Sequence, residues 1–331
     1  MPSGNDLYAS ATPAELRHSL RTPLNHVIGY SEMILEDLRD SVIESRPSAV
    51  ADLEAILFNA RELVKFIQNG LPPEQTQVKG TELRDLQFWL RPHVVQLLEN
   101  AASLAAEVRP DHAEDVARIR AAANRLLAFT EGKHDALDTQ AQPETRKNEA
   151  NHEAKARVLV VDDSAANRDI LRRSLEREGY AAVLAGDGRS ALKEIEEQAI
   201  DLVLLDVLMP GFSGFEVLQT MKASPLFAAI PVIMISALDE SSSVARCMEL
   251  GAEDYFMKPF DPVLLRSRIR ATLERASLKK SSEALHGGLQ EALRVIGEAL
   301  QAPAGQGISH KLQLLRDRLS EVAQAAIPFT S

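Results

Sequence analysis

Val158-Leu159-Val160-Val161-Asp162-Asp163 runs an apolar stretch straight into two adjacent carboxylates, and the reading of that junction decides the fold. Four branched apolar residues that stop at a turn-forming pair read as a strand buried on both faces. Three more runs repeat the pattern. Leu202 to Leu205 ends in Asp206 and leads to Met209-Pro210-Gly211, Val232 to Ile235 ends in Ser236-Ala237, and a short strand ends in Lys258-Pro259. Amphipathic stretches alternate with them: Ile170/Leu171/Leu175, Phe215/Leu218/Met221 and Val244/Met248/Leu250. Such alternation predicts βα units around a parallel sheet, and parallel sheets bind ligands at the carboxyl ends of their strands. The polar residues that close these runs all sit there.

Bringing Asp162, Asp163 and Asp206 together creates a charge problem. Three clustered carboxylates do not all stay ionised without a cation, and oxygen ligands with room for water suit Mg2+. A metal held there would neutralise a phosphoryl group arriving at one carboxylate, while a lysine and a hydroxyl hold its other oxygens. In these separately spaced landmarks the stretch 157–278 closely resembles the receiver domain of two-component response regulators. The resemblance implies a flavodoxin-like α/β fold with a five-stranded parallel sheet in the order 2-1-3-4-5. It also implies Asp206 as phosphoacceptor, with Asp162, Asp163, Asp206 and the backbone carbonyl of Leu208 as Mg2+ ligands. Ser236 and Lys258 would contact the phosphoryl oxygens, Tyr255 would change rotamer with Ser236, and Lys258-Pro259 would be a cis peptide.

Upstream, Leu16, Leu20, Leu24, Val27, Ile28, Ile34 and Leu38 recur at helical spacing, with Thr12 as N-cap and Pro13 at the first helical position. Pro23 inside this helix removes a hydrogen bond and crowds the Ser19 carbonyl, which predicts a bend beside His18. A second helix carries Val50, Leu53, Ile56, Leu57, Ala60, Leu63, Val64 and Ile67 and ends near Asn69-Gly70. The run His18-Ser19-Leu20-Arg21-Thr22-Pro23-Leu24 resembles the phosphoacceptor and dimerisation hairpin of sensor histidine kinases. That resemblance implies His18 as a phosphohistidine and Thr22 as the residue that orients water for dephosphorylation. An imidazole suits the role because its free nitrogen is nucleophilic near neutral pH. Ser19 departs from the family, which carries an acidic general base there.

A second hairpin follows. Glu82-Leu83-Arg84 repeats Glu15-Leu16-Arg17, and Ala123, Leu126 and Phe129 repeat Ala60, Leu63 and Phe66, a pattern of internal duplication. Opposite His18 the repeat has Asp85 or Phe88. One such hairpin cannot bury its own stripe, so residues 10–131 are expected to form a four-helix bundle in which the second hairpin replaces a partner subunit's. Phe88, Trp89 and His93 are expected to pack rather than to bind a ligand. Residues 132–156 are polar and poor in aromatics and read as a flexible linker. After Asp261-Pro262 a last helix is expected through Leu278. Residues 279–331 then form an amphipathic tail with one stripe at Leu285, Leu289, Leu293, Ile296 and Leu300, and another at Leu312, Leu315, Leu319 and Val322.

Composition bounds the function. With 331 residues there is chain for two or so domains, and a net charge of -11 argues against nucleic acid as partner. The single cysteine, Cys247, excludes an intrachain disulfide and reads as a small buried hydrophobe in a reducing cytoplasm. No long apolar segment suggests a membrane span. No glycine-rich nucleotide-binding box accompanies the hairpins, so the chain is not a complete histidine kinase, and its chemistry is confined to phosphotransfer and autodephosphorylation. The favoured reading is a two-component signalling phosphoprotein in a phosphorelay. Asp206 would be charged from a sensor histidine kinase, a phosphotransfer protein or its own His18, and would switch a helical surface toward a downstream partner or a homodimer. The alternatives are a receiver-gated binding platform with a degenerate kinase-like bundle, and the regulatory front end of a larger enzyme such as a nucleotide cyclase or phosphatase.

Overall fold

The computed structural model of the chain describes residues 12–40, 47–71, 78, 80–133, 155–236 and 241–301. Most of the expected linker and the tail stripe from Leu312 to Val322 lie outside these residues. Residues up to Leu265 form one compact unit and those from Arg266 another.

Four helices open the chain: α1 (Pro13–Asp40), α2 (Pro47–Gly70), α3 (Gly80–Glu107) and α4 (Pro110–Thr130). Thr12 caps α1 as expected. Its hydroxyl accepts from the Glu15 N–H at 3.2 Å, and the Glu15 carboxylate accepts from the Thr12 N–H at 2.8 Å, a reciprocal capping box. α1 remains one helix through Pro23. Each of the four helices packs on two others, and Leu20, Leu24, Ile34, Leu53, Ile56, Ile67, Leu97, Ile119 and Phe129 lie in one shared core. The aromatic expectation fails in part. Phe88 is 73 % exposed and Trp89 57 %, and His93 is exposed as well. They project from the outer side of α3, where the apolar stripe Leu86, Leu90, Val94 and Leu97 has already taken the core-facing positions.

The second half alternates strands and helices: β1 (Arg157–Val161), α5 (Ala165–Arg177), β2 (Ala181–Ala185), α6 (Gly188–Glu197), β3 (Leu202–Asp206), α7 (Gly214–Ala223), β4 (Val232–Ser236), α8 (Ser241–Glu249) and β5 (Asp254–Met257). All strand pairs are parallel, in the order β2-β1-β3-β4-β5. β1, β3 and β4 are almost wholly buried, which is why they read as unbroken apolar runs. Gly214 is required where α7 starts, because a Cβ there would lie 2.0 Å from the Asp206 carbonyl oxygen. Cys247 is fully buried, as expected, and burial pushes its thiol up to about 11.

One correction concerns the last helix. α9 (Pro262–Gln301) is continuous, whereas the sequence suggested a break after Leu278. Gly287-Gly288 costs about 1 kcal/mol per glycine in a helix, but no proline or capping sequence accompanies it to end the helix. Leu285, Leu289 and Leu293 lie on its exposed face. Among the described residues, no helix is long and apolar enough to cross a membrane.

α5 joins the two halves of the first unit. Ile170 of α5 belongs to the core of the four N-terminal helices, and a Cβ on Gly29 of α1 would lie 2.7 Å from its Cδ1. Around this contact Arg173 Nη1 donates to both carboxylate oxygens of Asp115 of α4, each at 2.9 Å. Arg118 of α4 reaches Asp169 at 2.5 Å, and Arg177 reaches Asp37 of α1 at 2.7 Å. Ion pairs that are partly desolvated hold a geometry better than exposed ones. Gly29→Ala is expected to be nearly neutral, since the terminal methyl of Ile170 can yield and alanine favours the helix by about 1 kcal/mol. Gly29→Phe is expected to lever α5 off α1. Hydrogen exchange in α1 and α5 reads the difference, and unchanged protection in Gly29→Phe would show that the contact does not hold these helices together.

Candidate functional site

Asp162 follows the last residue of β1, Asp206 and Ser236 are the last residues of β3 and β4, and Lys258 follows β5. Because β1, β3, β4 and β5 are neighbours in that order, the topology alone gathers these side chains at one edge. Ligand oxygens of Asp162, Asp163 and Asp206 all lie within 4.8 Å of one another. The Lys258 Nζ donates to Asp162 Oδ2 and to Asp206 Oδ2, each at 2.6 Å. Lys258, Asp162, Asp206 and Ser236 are buried, and Asp163 is half-buried. The Lys258-Pro259 bond is cis, as the sequence suggested.

Local hydrogen bonds fix the carboxylates. Asp162 Oδ1 accepts from the Ser164 N–H at 2.8 Å, and the Asn167 amide donates to both oxygens of Asp162 at 3.1 Å. Asp206 Oδ1 accepts from the Leu208 N–H at 3.2 Å, and the Lys258 N–H donates to the Ser236 carbonyl at 2.7 Å. Electrostatics are strained by the crowding. Burial pushes the Asp206 carboxyl up to about 7, with Lys258 opposing and Asp162 adding to the rise. Burial, and then Asp162, raises Asp163 as well. For Lys258 the balance reverses: burial works against its charge, but Asp162 and Asp206 outweigh it, and its pKa is raised. One ammonium is too little for three carboxylates, and an all-oxygen donor set short of positive charge fits a hard divalent cation. Tyr255 is half-buried, and burial raises its phenol against a hydrogen bond with Ser236.

The other expected acceptor is at the same edge. His18 is partly enclosed, its pKa lowered first by burial and then by the Lys258 charge, with Asp162 opposing. Its Nδ1 is buried with no hydrogen-bond partner. One turn along α1, the fully buried Arg21 donates from Nη2 to the Lys258 carbonyl. The Thr22 hydroxyl donates to the His18 carbonyl at 3.0 Å, within its own helix. Sequence reasoning missed Arg21, His26, Ser164, Asn167 and Arg125. His26 Nε2 is 3.0 Å from Ser164 Oγ, and Arg125 Nη2 is 3.0 Å from His26 Nδ1. The available signal was spacing, since residues three and eight positions after His18 fall on one side of a helix.

Compared with known families, residues 158–270 match the response regulator receiver domain. This stretch is a receiver domain. The alkaline phosphatase synthesis transcriptional regulatory protein PhoP of Bacillus subtilis is 37 % identical over 142 residues, 43 % of this chain and 58 % of that protein. The DNA-binding response regulator MtrA of Mycobacterium tuberculosis is 40 % identical over 121 residues, 37 % of this chain and 52 % of that protein. The chain thus spans little more than half the length of these relatives. A receiver protein of known structure from Pseudomonas putida is 33 % identical, with 36 % of this chain and 98 % of that one covered at a TM-score of 0.34.

The raised Asp206 carboxyl makes metal-free stability depend on pH. The folded receiver keeps this proton up to about 7, whereas an unfolded aspartate loses it near ~4. Stability is therefore lost as pH rises between those values. Asp206→Asn is expected to remove that loss, so that thermal midpoints taken in chelator at pH 5 and pH 8 differ less in the variant than in the parent. Equal differences in the two proteins would place the strain elsewhere.

Proposed function

We propose that the chain is a phosphotransfer protein of a two-component system in which Asp206 exchanges a phosphoryl group with a phosphohistidine. The observation that carries this reading is the joint burial of Asp162, Asp206 and Lys258 at one sheet edge, with His18 inside the field of Lys258 and Asp162. Asp162, Asp163, Asp206 and the Leu208 carbonyl would hold Mg2+, which supplies charge neutralisation for an incoming phosphoryl group. In transfer, an Asp206 oxygen attacks phosphorus as the phosphorus–nitrogen bond breaks, and the electron pair returns to the imidazole. The lowered pKa of His18 suits a nitrogen that must carry phosphoryl rather than a proton. Lys258 and Ser236 would contact the equatorial oxygens, and Thr22 would orient water for dephosphorylation.

The donor is a sensor histidine kinase or phosphotransfer protein in trans, or His18 in cis. The placement of α1 on α5 favours the cis route, since it brings His18 to the receiver's own edge. The single core shared by α1 to α4 supports a four-helix bundle completed within one chain, with Asp85 or Phe88 in the place of a second phosphoacceptor. On phosphorylation, Ser236 and Lys258 would draw toward the new charge and Tyr255 would turn inward, changing the surface near α8 for a downstream partner. The relatives are named as transcriptional or DNA-binding regulators, but the match lies in the receiver, and the acidic balance of this chain leads us to propose a protein rather than nucleic acid as its target. Exposed Phe58, Phe88 and Trp89 favour a second reading, a receiver-gated binding platform in which His18 takes no part.

Labelling the full chain with radioactive acetyl phosphate and Mg2+ tests both. Asp206→Asn should fall to background, and undiminished label would remove Asp206 as acceptor. Acylphosphate is base-labile and phosphoramidate acid-labile. The parent should therefore hold label of both kinds, while His18→Ala keeps the base-labile kind alone. Base-labile label alone in the parent would favour the platform.

A further inference from the structure

His26 stands at the margin of the site, and neither the proposed phosphoryl chemistry nor the proposed metal set uses it. It is buried at 4 % exposure where α1, α4 and the loop after β1 meet. Its ring is held at both nitrogens, by Arg125 of α4 at Nδ1 and by Ser164 at Nε2, each at 3.0 Å. A guanidinium can only donate, so Nδ1 must be the acceptor and the ring proton must sit on Nε2. That proton points at Ser164 Oγ, and Ser164 is thereby the acceptor of a bond that begins on the second hairpin. A neutral ring is also what complete burial beside Arg125 enforces, holding the imidazole down to about 3.

Ser164 is no ordinary end point. Its hydroxyl caps α5, accepting from the Asn167 N–H, its own N–H donates to Asp162 Oδ1 at 2.8 Å, and the Asn167 amide grips both oxygens of the same carboxylate. A continuous hydrogen-bonded line therefore runs from Arg125 through His26 and Ser164 to the carboxylate beside Lys258. Outer partners of this kind fix the direction of a ligand's lone pairs. We infer that His26 is a positioning residue: by tying Arg125 to Ser164 it holds the loop that presents Asp162, so that this line of bonds strengthens the site's grip on a divalent cation. The inference rests on the proposed Mg2+ site and adds a group that sets its affinity from another part of the chain.

Isothermal titration of the metal-free full chain with magnesium chloride reads this without phosphorylation. His26→Leu and Arg125→Met cut the line at its middle and at its far end, and each should weaken Mg2+ binding about tenfold, the lower end of what losing an outer partner costs. His26→Gln keeps an N–H near the Nε2 position and should bind closer to the parent. Asp115→Asn loosens the α4–α5 pair without touching His26 and should change affinity by no more than about twofold, as expected for an independent site. Parent-like binding by both His26→Leu and Arg125→Met would overturn the inference, and so would an equal loss in Asp115→Asn, which would credit docking in general. A parent chain that does not bind Mg2+ would instead overturn the metal reading and the inference with it.

Discussion

One buried ammonium between two buried carboxylates sets the terms for the rest of this molecule. Lys258 Nζ stands 2.6 Å from both Asp162 and Asp206, with all three side chains out of water. A pair of this kind is not a simple gain in stability. Desolvation costs several kcal/mol per ion, and removing one partner of a buried pair costs about 3–5 kcal/mol. The arrangement persists because the sheet supplies it almost for nothing: four neighbouring strands end at one level, and each ends in a residue of this cluster. What the fold cannot supply is charge balance. Three carboxylates against one lysine leave an excess of negative charge at this edge.

The contact with the N-terminal helices exploits the same edge. α5 starts one residue after the acidic pair, so whatever grips α5 also grips the loop that carries Asp162 and Asp163. Ile170 against Gly29 sets the distance of approach, and the bonds from Arg173, Arg118 and Arg177 set the rotation. Burial raises the Asp115 carboxyl despite its two arginines, a sign that this interface is drier than a surface salt bridge. Asp169 goes the other way: burial works against its charge, but the bond from Arg172 and the charges of Arg173 and Arg118 lower its pKa. The interface is therefore a shape lock around one isoleucine, oriented by charge.

Much of this was legible in the sequence, for reasons that differ by element. β1, β3 and β4 announce themselves because strands buried on both faces cannot carry polar residues, and the first polar residue after each is a site residue. β2 is harder to read. Ala181 to Ala185 is an edge strand with mostly half-buried residues, and short alanines give neither the branched signature of a strand nor an alternation. The break expected after Leu278 does not occur, because a helix ends only when something else satisfies its last carbonyls and no proline or glycine directly follows Leu278. His26, Arg125 and Ser164 were invisible for a deeper reason. Each is ordinary in its own helix, and only the approach of α1, α4 and α5 makes them a line.

That line changes what docking can mean. A contact made only by apolar packing and surface charge would hold α1 against α5 and leave the edge at Asp162 and Lys258 unaltered. Here two separate bonds from α1 enter the site: Arg21 reaches the Lys258 carbonyl, and His26 reaches Ser164. One steadies the segment that carries the ammonium and the other the segment that carries Asp162. Neither can be kept if α1 withdraws, and neither can be made by a helix seated a turn out of register, since each donor is fixed in the helix relative to Gly29. The geometry that seats α1 is thus the geometry that arranges the edge at Asp162 and Lys258.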